Sequence, residues 1–331
     1  MHHGRMGDRL QEFRDLLSKH PRALAVGQIV VLAIFFGFAA WAIRGNLSDA
    51  RERLRDASPV DFLLGCAVLA CYYLAFVVGW IKILGAWGYK ISYSGALRAE
   101  MVSMLAKYVP GGVWTPAARV VAARRAGIHD AGLVTASILV EAGLSAISGV
   151  IVFVISLSWV KGVDAPIYPL LGFGAVVAVL LHPRIFQPLA SKILRRFGCG
   201  EIAPLPTRTL VGLLVYYAFT WLIGGAALYF LVRAVGTHPA VTTIPFLGGV
   251  SAVGAIVAVL AFFAPSGLGP REGAMYGLLL AITTEGAATA AVVLNRIALT
   301  IVEIALLVVG GLFFRLRDQQ EHPPVAAEGE T

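Results

Sequence analysis

Charge is what this chain most lacks. Only 14% of its 331 residues are Asp, Glu, Lys or Arg, against roughly 25% in an ordinary soluble domain. Apolar residues make up 58% and mean hydropathy is +0.79. That balance excludes both a soluble globular domain and a disordered chain. Cysteine is scarce: Cys66, Cys71 and Cys199 show no metal-ligand spacing, and the first two share one apolar run, where they read as small core residues. Enzyme signatures are missing too. There is no G-x-x-x-x-G-K-[ST] phosphate loop, no H-E-x-x-H and no G-x-S-x-G elbow. No connection between apolar runs is long enough for a soluble catalytic domain. The chain is therefore expected to be no enzyme and no ATP-driven pump by itself, and to need no metal or cofactor. Lys and Arg exceed Asp and Glu by 27 − 19 = 8, but they are scattered between apolar runs, which argues against nucleic acid. No cleavable signal peptide is expected, because the first 22 residues are polar and the first apolar run is long enough to stay as a span.

What is present is a series of long apolar runs, continuous rather than alternating, so helices and not barrel strands. The expected fold is an all-α polytopic membrane protein with about six to eight transmembrane helices. Residues 1–22 form a cytoplasmic segment; Leu10, Phe13, Leu16 and Leu17 fit either a surface-lying helix or a plain helical extension. A single transmembrane domain covers 23–314, with spans near 23–43, 62–81, 131–158, 167–181, 210–232 and 288–314. Its loop 182–208 carries Arg184, Lys192, Arg195, Arg196 and Arg208, which by the positive-inside rule makes it cytoplasmic. Within it Ile185, Leu189, Ile193, Leu194 and Phe197 form an apolar stripe over 184–197, an amphipathic interfacial helix. Residues 315–331 are a polar, disordered cytoplasmic tail, so both termini are expected in the cytoplasm.

Two segments break this pattern. Lys107-Tyr108-Val109-Pro110-Gly111-Gly112-Val113-Trp114-Thr115-Pro116 interrupts one apolar stretch, and Ala264-Pro265-Ser266-Gly267-Leu268-Gly269-Pro270-Arg271-Glu272 another. The arms beside the first break are too short to cross about 30 Å of hydrocarbon, which predicts a re-entrant hairpin. The second break fits either a similar hairpin or a full span followed by a short tilted helix. Thr115 is a suitable N-cap for a helix with Pro116 in its first turn, and Gly269 precedes a Pro270 suited to the same position. Interrupted helices at membrane depth occur where they face protein or a wet cavity, and their N-termini favour anions. Val140-Glu141-Ala142 follows the first break and Val302-Glu303-Ile304 the second, so the chain reads as a possible inverted repeat with hairpins entering from opposite faces.

Ionisable residues in such a chain are functional candidates. Arg119 and Arg271 sit close to half-helix N-termini, where a cation opposes the helix dipole; each either grips a lipid phosphate or pairs with Glu141, Glu272 or Glu303. Lys107, Pro110, Gly111, Gly112, Thr115, Ser266, Gly267 and Gly269 complete the candidate phosphate-binding set, the glycines serving as turn residues or as close backbone approaches to a headgroup. Glu100, Glu141, Glu272, Arg296 and Glu303 are charge-balancing candidates. Glu100 with Lys107, and Arg296 with Glu303, are each seven residues apart on one helix face and suited to pair.

The two breaks, with Arg119, Val140-Glu141, Arg271-Glu272-Gly273 and Arg296, resemble the flippase-like family, the lysylphosphatidylglycerol synthase transmembrane region. The likeness covers most of 20–315. The second motif departs from it in reading Pro-Ser-Gly where Pro-Gly-Gly is expected. The resemblance implies a bacterial inner-membrane protein that moves an anionic, aminoacylated or polyprenyl-linked lipid between leaflets, without the family's separate synthase domain. It also implies an alternative: a non-transporting scaffold that presents lipid to a cell-envelope glycosyltransferase or another lipid-modifying enzyme. A homo-oligomer is compatible with either.

Overall fold

The computed structural model describes residues 47–106, 114–160, 167–182, 184–186, 188, 191–192, 203–261, 264 and 267–321. Ten helices are labelled here: α1 Leu47–Arg55, α2 Pro59–Ala86, α3 Tyr93–Ala106, α4 Trp114–Arg125, α5 Ala131–Ser156, α6 Ile167–Leu181, α7 Thr207–Ala234, α8 Ile244–Leu260, α9 Pro270–Leu279 and α10 Glu285–Glu321. A 3₁₀ turn, Val241–Thr243, leads into α8. Five of the described helical stretches are long and apolar enough to cross a membrane: Pro59–Ala86, Ala131–Ser156, Thr207–Ala234, Val241–Leu260 and Glu285–Gly310. Val215, Phe219, Val259 and Val309 are exposed, as expected of side chains that meet lipid. The protein is an all-α multi-pass membrane protein.

Several expected boundaries hold within a few residues; α6 has the bounds expected for the span 167–181 but, at 15 residues, is not among the stretches long enough to cross. Others change. The connection 44–60 contains a helix, α1. The last span runs on through 315–321, so that part of the expected disordered tail is helical, while 322–331 lies outside the described residues. The segment 1–22, the first expected span and most of the expected interfacial helix also lie outside them. Cys71 is exposed rather than in the core.

Helices α2 and α7 form the central seam and run antiparallel. At one end the Ser58 N–H donates to the Ala234 carbonyl at 2.8 Å, and Asp61 pairs with Arg233 at 3.4 Å. At the other, Trp87 Nε1 donates to the Ala203 carbonyl at 2.8 Å. Between these, the Tyr216 hydroxyl donates to the Ala75 carbonyl at 2.6 Å. The first face is where α2 begins and α7 ends; the second is where α2 ends and α7 begins.

Each seam helix is followed by a hairpin and then a long helix. The hairpin α3–α4 has arms of 14 and 12 residues, rising about 21 and 18 Å. Gly95 near the start of α3 lies against Ala126, just past the end of α4. The hairpin therefore enters and leaves on the second face, as the sequence predicted. In the other hairpin, Ala258 meets Gly267, and Gly254 meets Arg271 and Met275, so α9 folds back along α8. The Thr237 and Thr283 hydroxyls are hydrogen-bonded at 2.9 Å, which returns the chain to the first face. With its 3₁₀ turn, α8 is nonetheless long enough to cross by itself, so the second hairpin has one long arm and one short. Helix α10 starts on the first face, where Gly286 abuts Asp49 of α1 and Arg53 of α1 donates to the Val235 carbonyl at 3.4 Å. The units α2–α5 and α7–α10 thus share one order of elements and are inverted relative to each other.

Close packing in lipid depends on small residues at helix crossings, and the α7–α8 crossing is an extreme case. A Cβ on Gly225 would sit 2.3 Å from the Ile244 carbonyl oxygen, and one on Gly248 would sit 2.6 Å from that of Trp221. We expect Gly225→Val and Gly248→Val each to abolish a monodisperse peak on size exclusion in detergent. Gly212→Val, where an added Cβ meets nothing, should leave the profile unchanged.

Candidate functional site

The first break brings Arg119 into the protein interior on α4. This helix begins at Trp114, so Thr115 lies inside its first turn rather than capping it, and Arg119 falls in the second turn, beyond the strongest part of the N-terminal dipole. The guanidinium is 5% exposed as a residue and is bracketed by two carboxylates, Glu100 of α3 and Glu141 of α5. The ring of Trp80 on α2 closes a third side, 5.2 Å from the guanidinium carbon. Trp80 is held in turn by its Nε1 donating to Ser137 Oγ at 2.8 Å. The Tyr217 hydroxyl, from α7, donates to Glu141 Oε1 at 3.2 Å. Three helices plus the two of the seam thus converge on one buried charge cluster. Of the alternatives expected for Arg119, the pairing with Glu141 is present, and Glu100 joins it. Glu100 pairs across elements with Arg119; its expected partner along α3, Lys107, lies outside the described residues.

The second break builds a different arrangement. Pro270 takes the first position of α9 after Gly269, as expected. Gly267 and Gly269 have φ of +65° and +95°, values that L side chains seldom adopt. The space behind Gly267 is filled by Ala258, so this glycine serves the turn. Glu272, at the third helical position, accepts the Gly269 N–H at 2.6 Å and pairs with Arg296 of α10 at 3.3 Å. Glu303 of α10 is 2% exposed and accepts from the Tyr73 hydroxyl of α2 at 2.5 Å. The partners shown for Arg296 and Glu303 therefore lie on other elements, where helix spacing had pointed to each other.

Arg271 is placed differently from Arg119. It is in the first turn of α9, where the N–H groups of positions 271 and 272 have no helical acceptor. Its stem packs against Gly254 of α8, and its Nε is buried without a hydrogen-bond partner. Among the described residues it makes no ion pair. Its charge acts on the hydroxyls of both Tyr72 and Tyr73.

Aromatic side chains join the two arrangements. The Tyr73 and Tyr72 rings are 5.6 Å apart, Tyr72 and Phe76 5.8 Å, and Phe76 and Tyr217 5.2 Å. A row of rings thus runs from the tyrosine on Glu303 to the tyrosine on Glu141. Tyr72, in the middle, feels both Arg271 and Glu141. The tyrosine contacts are reciprocal: α7 of the second unit serves the glutamate of the first, and α2 of the first unit serves that of the second. Sequence reasoning missed Tyr72, Tyr73, Trp80 and Tyr217. A signal existed in the doublets Tyr72-Tyr73 and Tyr216-Tyr217, one in the middle part of each seam helix. Pro110, Gly111, Gly112 and Ser266 lie outside the described residues. Among the described residues no group of His, Cys, Asp and Glu is arranged to hold a metal ion.

Two opposed hairpins, ion pairs within each of two inverted units and tyrosine hydrogen bonds between the units define a polytopic α-helical membrane protein built like those that carry sites at mid-depth. The family model for the lysylphosphatidylglycerol synthase transmembrane region matches residues 28–306, and the chain belongs to that family, whose membrane proteins are related to lipid modification or flipping. No curated protein matches the chain.

Removing one member of a buried ion pair costs about 3–5 kcal/mol, because the other charge is stranded. Arg119→Ala strands two carboxylates and should destabilise by at least about that much. Tyr217→Phe, which deletes one neutral donor to a charged acceptor, should cost about 1.5–3 kcal/mol. Chemical unfolding of the purified protein in detergent, followed by tryptophan emission, measures both.

Proposed function

We propose that the protein moves a phosphate-bearing membrane lipid between leaflets, the headgroup passing between the two inverted units while the acyl chains remain in the bilayer. The observation that supports this reading is Arg271. It is a cation in the first turn of a helix inside a re-entrant hairpin, and it has no carboxylate against it among the described residues. A phosphate would receive the guanidinium and the free N–H groups of the α9 N-terminus together. Arg119 has a supporting role in this reading: it holds the hairpin α3–α4 to the seam through Glu100 and Glu141. The protein breaks and forms no covalent bond in the lipid. Its place is the bacterial plasma membrane, with the second face cytoplasmic because Arg184, Lys192 and Arg208 adjoin it.

The test is leaflet exchange of fluorescent phosphatidylglycerol in reconstituted vesicles, read by a membrane-impermeant quencher. The wild type should exchange the lipid. Arg271→Ala should slow exchange at least about tenfold, corresponding to the loss of about 1.4 kcal/mol or more from one charge-assisted contact, and Arg271→Lys should restore part of the rate. Exchange by Arg271→Ala at the wild-type rate would remove the site. A wild type that binds the lipid without exchanging it would favour a lipid-presenting scaffold for a partner enzyme.

A further inference from the structure

Lys82 is a cation that the bundle turns outward to the membrane. It lies four residues before the end of α2 at Ala86 and is exposed. Helical side chains lean toward the N-terminus of their helix, and α2 begins on the first face, so the stem of Lys82 leads inward. A lysine near a span end ordinarily extends its ammonium to water. This one is held back: the ammonium lies over the Tyr216 ring of α7, 4.6 Å from the centroid. Tyr216 is nine residues past the start of α7 at Thr207, about 14 Å along that helix from the second face. Among the described residues Lys82 has no carboxylate against it and no hydrogen-bond acceptor.

The surroundings of the ammonium are fixed. The Tyr216 hydroxyl donates to the Ala75 carbonyl at 2.6 Å, and the Tyr93 hydroxyl of α3 donates to the adjacent Leu74 carbonyl at 2.9 Å. Two helices thus lay tyrosines against neighbouring carbonyls of α2, about two turns inward of Lys82. The Tyr216 ring, tied at its tip, sets the depth of the charge. Toward the second face the notch stays open: an added Cβ on Gly85 of α2 or Gly212 of α7 would meet nothing. Gly212 and Arg208 precede Tyr216 by four and eight residues, on one face of α7. Arg208 is exposed and, among the described residues, also without an ion pair. An ammonium facing hydrocarbon is costly until an anion meets it, and the anions at that depth are lipid phosphates.

We propose that the notch formed by Lys82, Tyr216, Tyr93 and Arg208 binds one anionic phospholipid of the second-face leaflet, with its phosphodiester on the Lys82 ammonium. The site stands whether or not lipid is translocated at Arg271.

The experiment is native mass spectrometry of the full chain released from micelles doped with dioleoyl phosphatidylglycerol. Dioleoyl phosphatidylcholine and inorganic phosphate are separate arms. Comparisons are made both in the wild type and in an Arg271→Ala background, where lipid held at the hairpin is not counted. In both, the parent should retain one more phosphatidylglycerol than Lys82→Gln, whose apparent Kd for that lipid rises about tenfold. Tyr216→Leu should lose it too, Lys82→Arg should keep it, and phosphatidylcholine or phosphate at the same concentration should not replace it. Lys90→Gln removes another exposed cation near the second face and should change nothing. Equal losses from Lys82→Gln and Lys90→Gln would mean diffuse attraction to a basic surface and overturn the proposal. So would unchanged retention in Lys82→Gln, and with it a lowered melting temperature would make Lys82 structural. Equal retention of phosphatidylcholine, or occupancy by inorganic phosphate in place of lipid, overturns it as well.

Discussion

The antiparallel seam between α2 and α7 is the constraint on which the remaining structure depends. Two 28-residue helices lie side by side in opposite directions, tied at one end by Ser58 to Ala234 and at the other by Trp87 to Ala203. Because each is followed by a hairpin and a long helix, opposing their directions inverts everything downstream. The hairpins then enter from opposite faces without further instruction. The same apposition lays the tyrosines of the two helices into one row, so that the polar groups of both units meet where the seam passes mid-depth.

Within that frame the two breaks have diverged in use. Each brings an arginine inward, yet among the described residues Arg119 is enclosed by carboxylates and Arg271 is not. The difference follows from position on the helix. One turn further in, Arg119 has left the reach of free backbone N–H groups and meets Glu100 and Glu141 from α3 and α5. Arg271 stays in the first turn, while the carboxylate beside it, Glu272, turns back to the Gly269 N–H and across to Arg296. A cation kept by its own carboxylates supports architecture. A cation held at a helix N-terminus without one suits a passing phosphate.

Chain order made much of this legible. Long apolar runs must become helices, because lipid cannot satisfy backbone groups in any other open form. The breaks stood out because Pro and Gly interrupt such runs, and Pro270 takes its expected place at the start of a helix. The short arms of α3 and α4 predicted a hairpin through length alone. Thr115 misled, since a residue suited to capping does not itself decide where the first helical turn begins. The extension of α10 past 315 was also missed, because polar residues that read as a tail are compatible with the exposed end of a long helix.

Partnership is where local reasoning ran out. Spacing along one helix pointed Arg296 to Glu303 and gave no hint that Arg119 would take Glu100 across a hairpin or that Glu272 would take Arg296 from the neighbouring helix. Trp80, Tyr73 and Tyr217 drew no notice, because an aromatic residue in an apolar run is unremarkable until a neighbour presents a charge to it. The sequence by itself determined the helices, their lengths and the two interruptions, since those depend on short-range backbone chemistry and the thickness of hydrocarbon. Only the tertiary structure decided which charge meets which, because a buried ion takes its partner from whichever element packs against it, however distant in the chain.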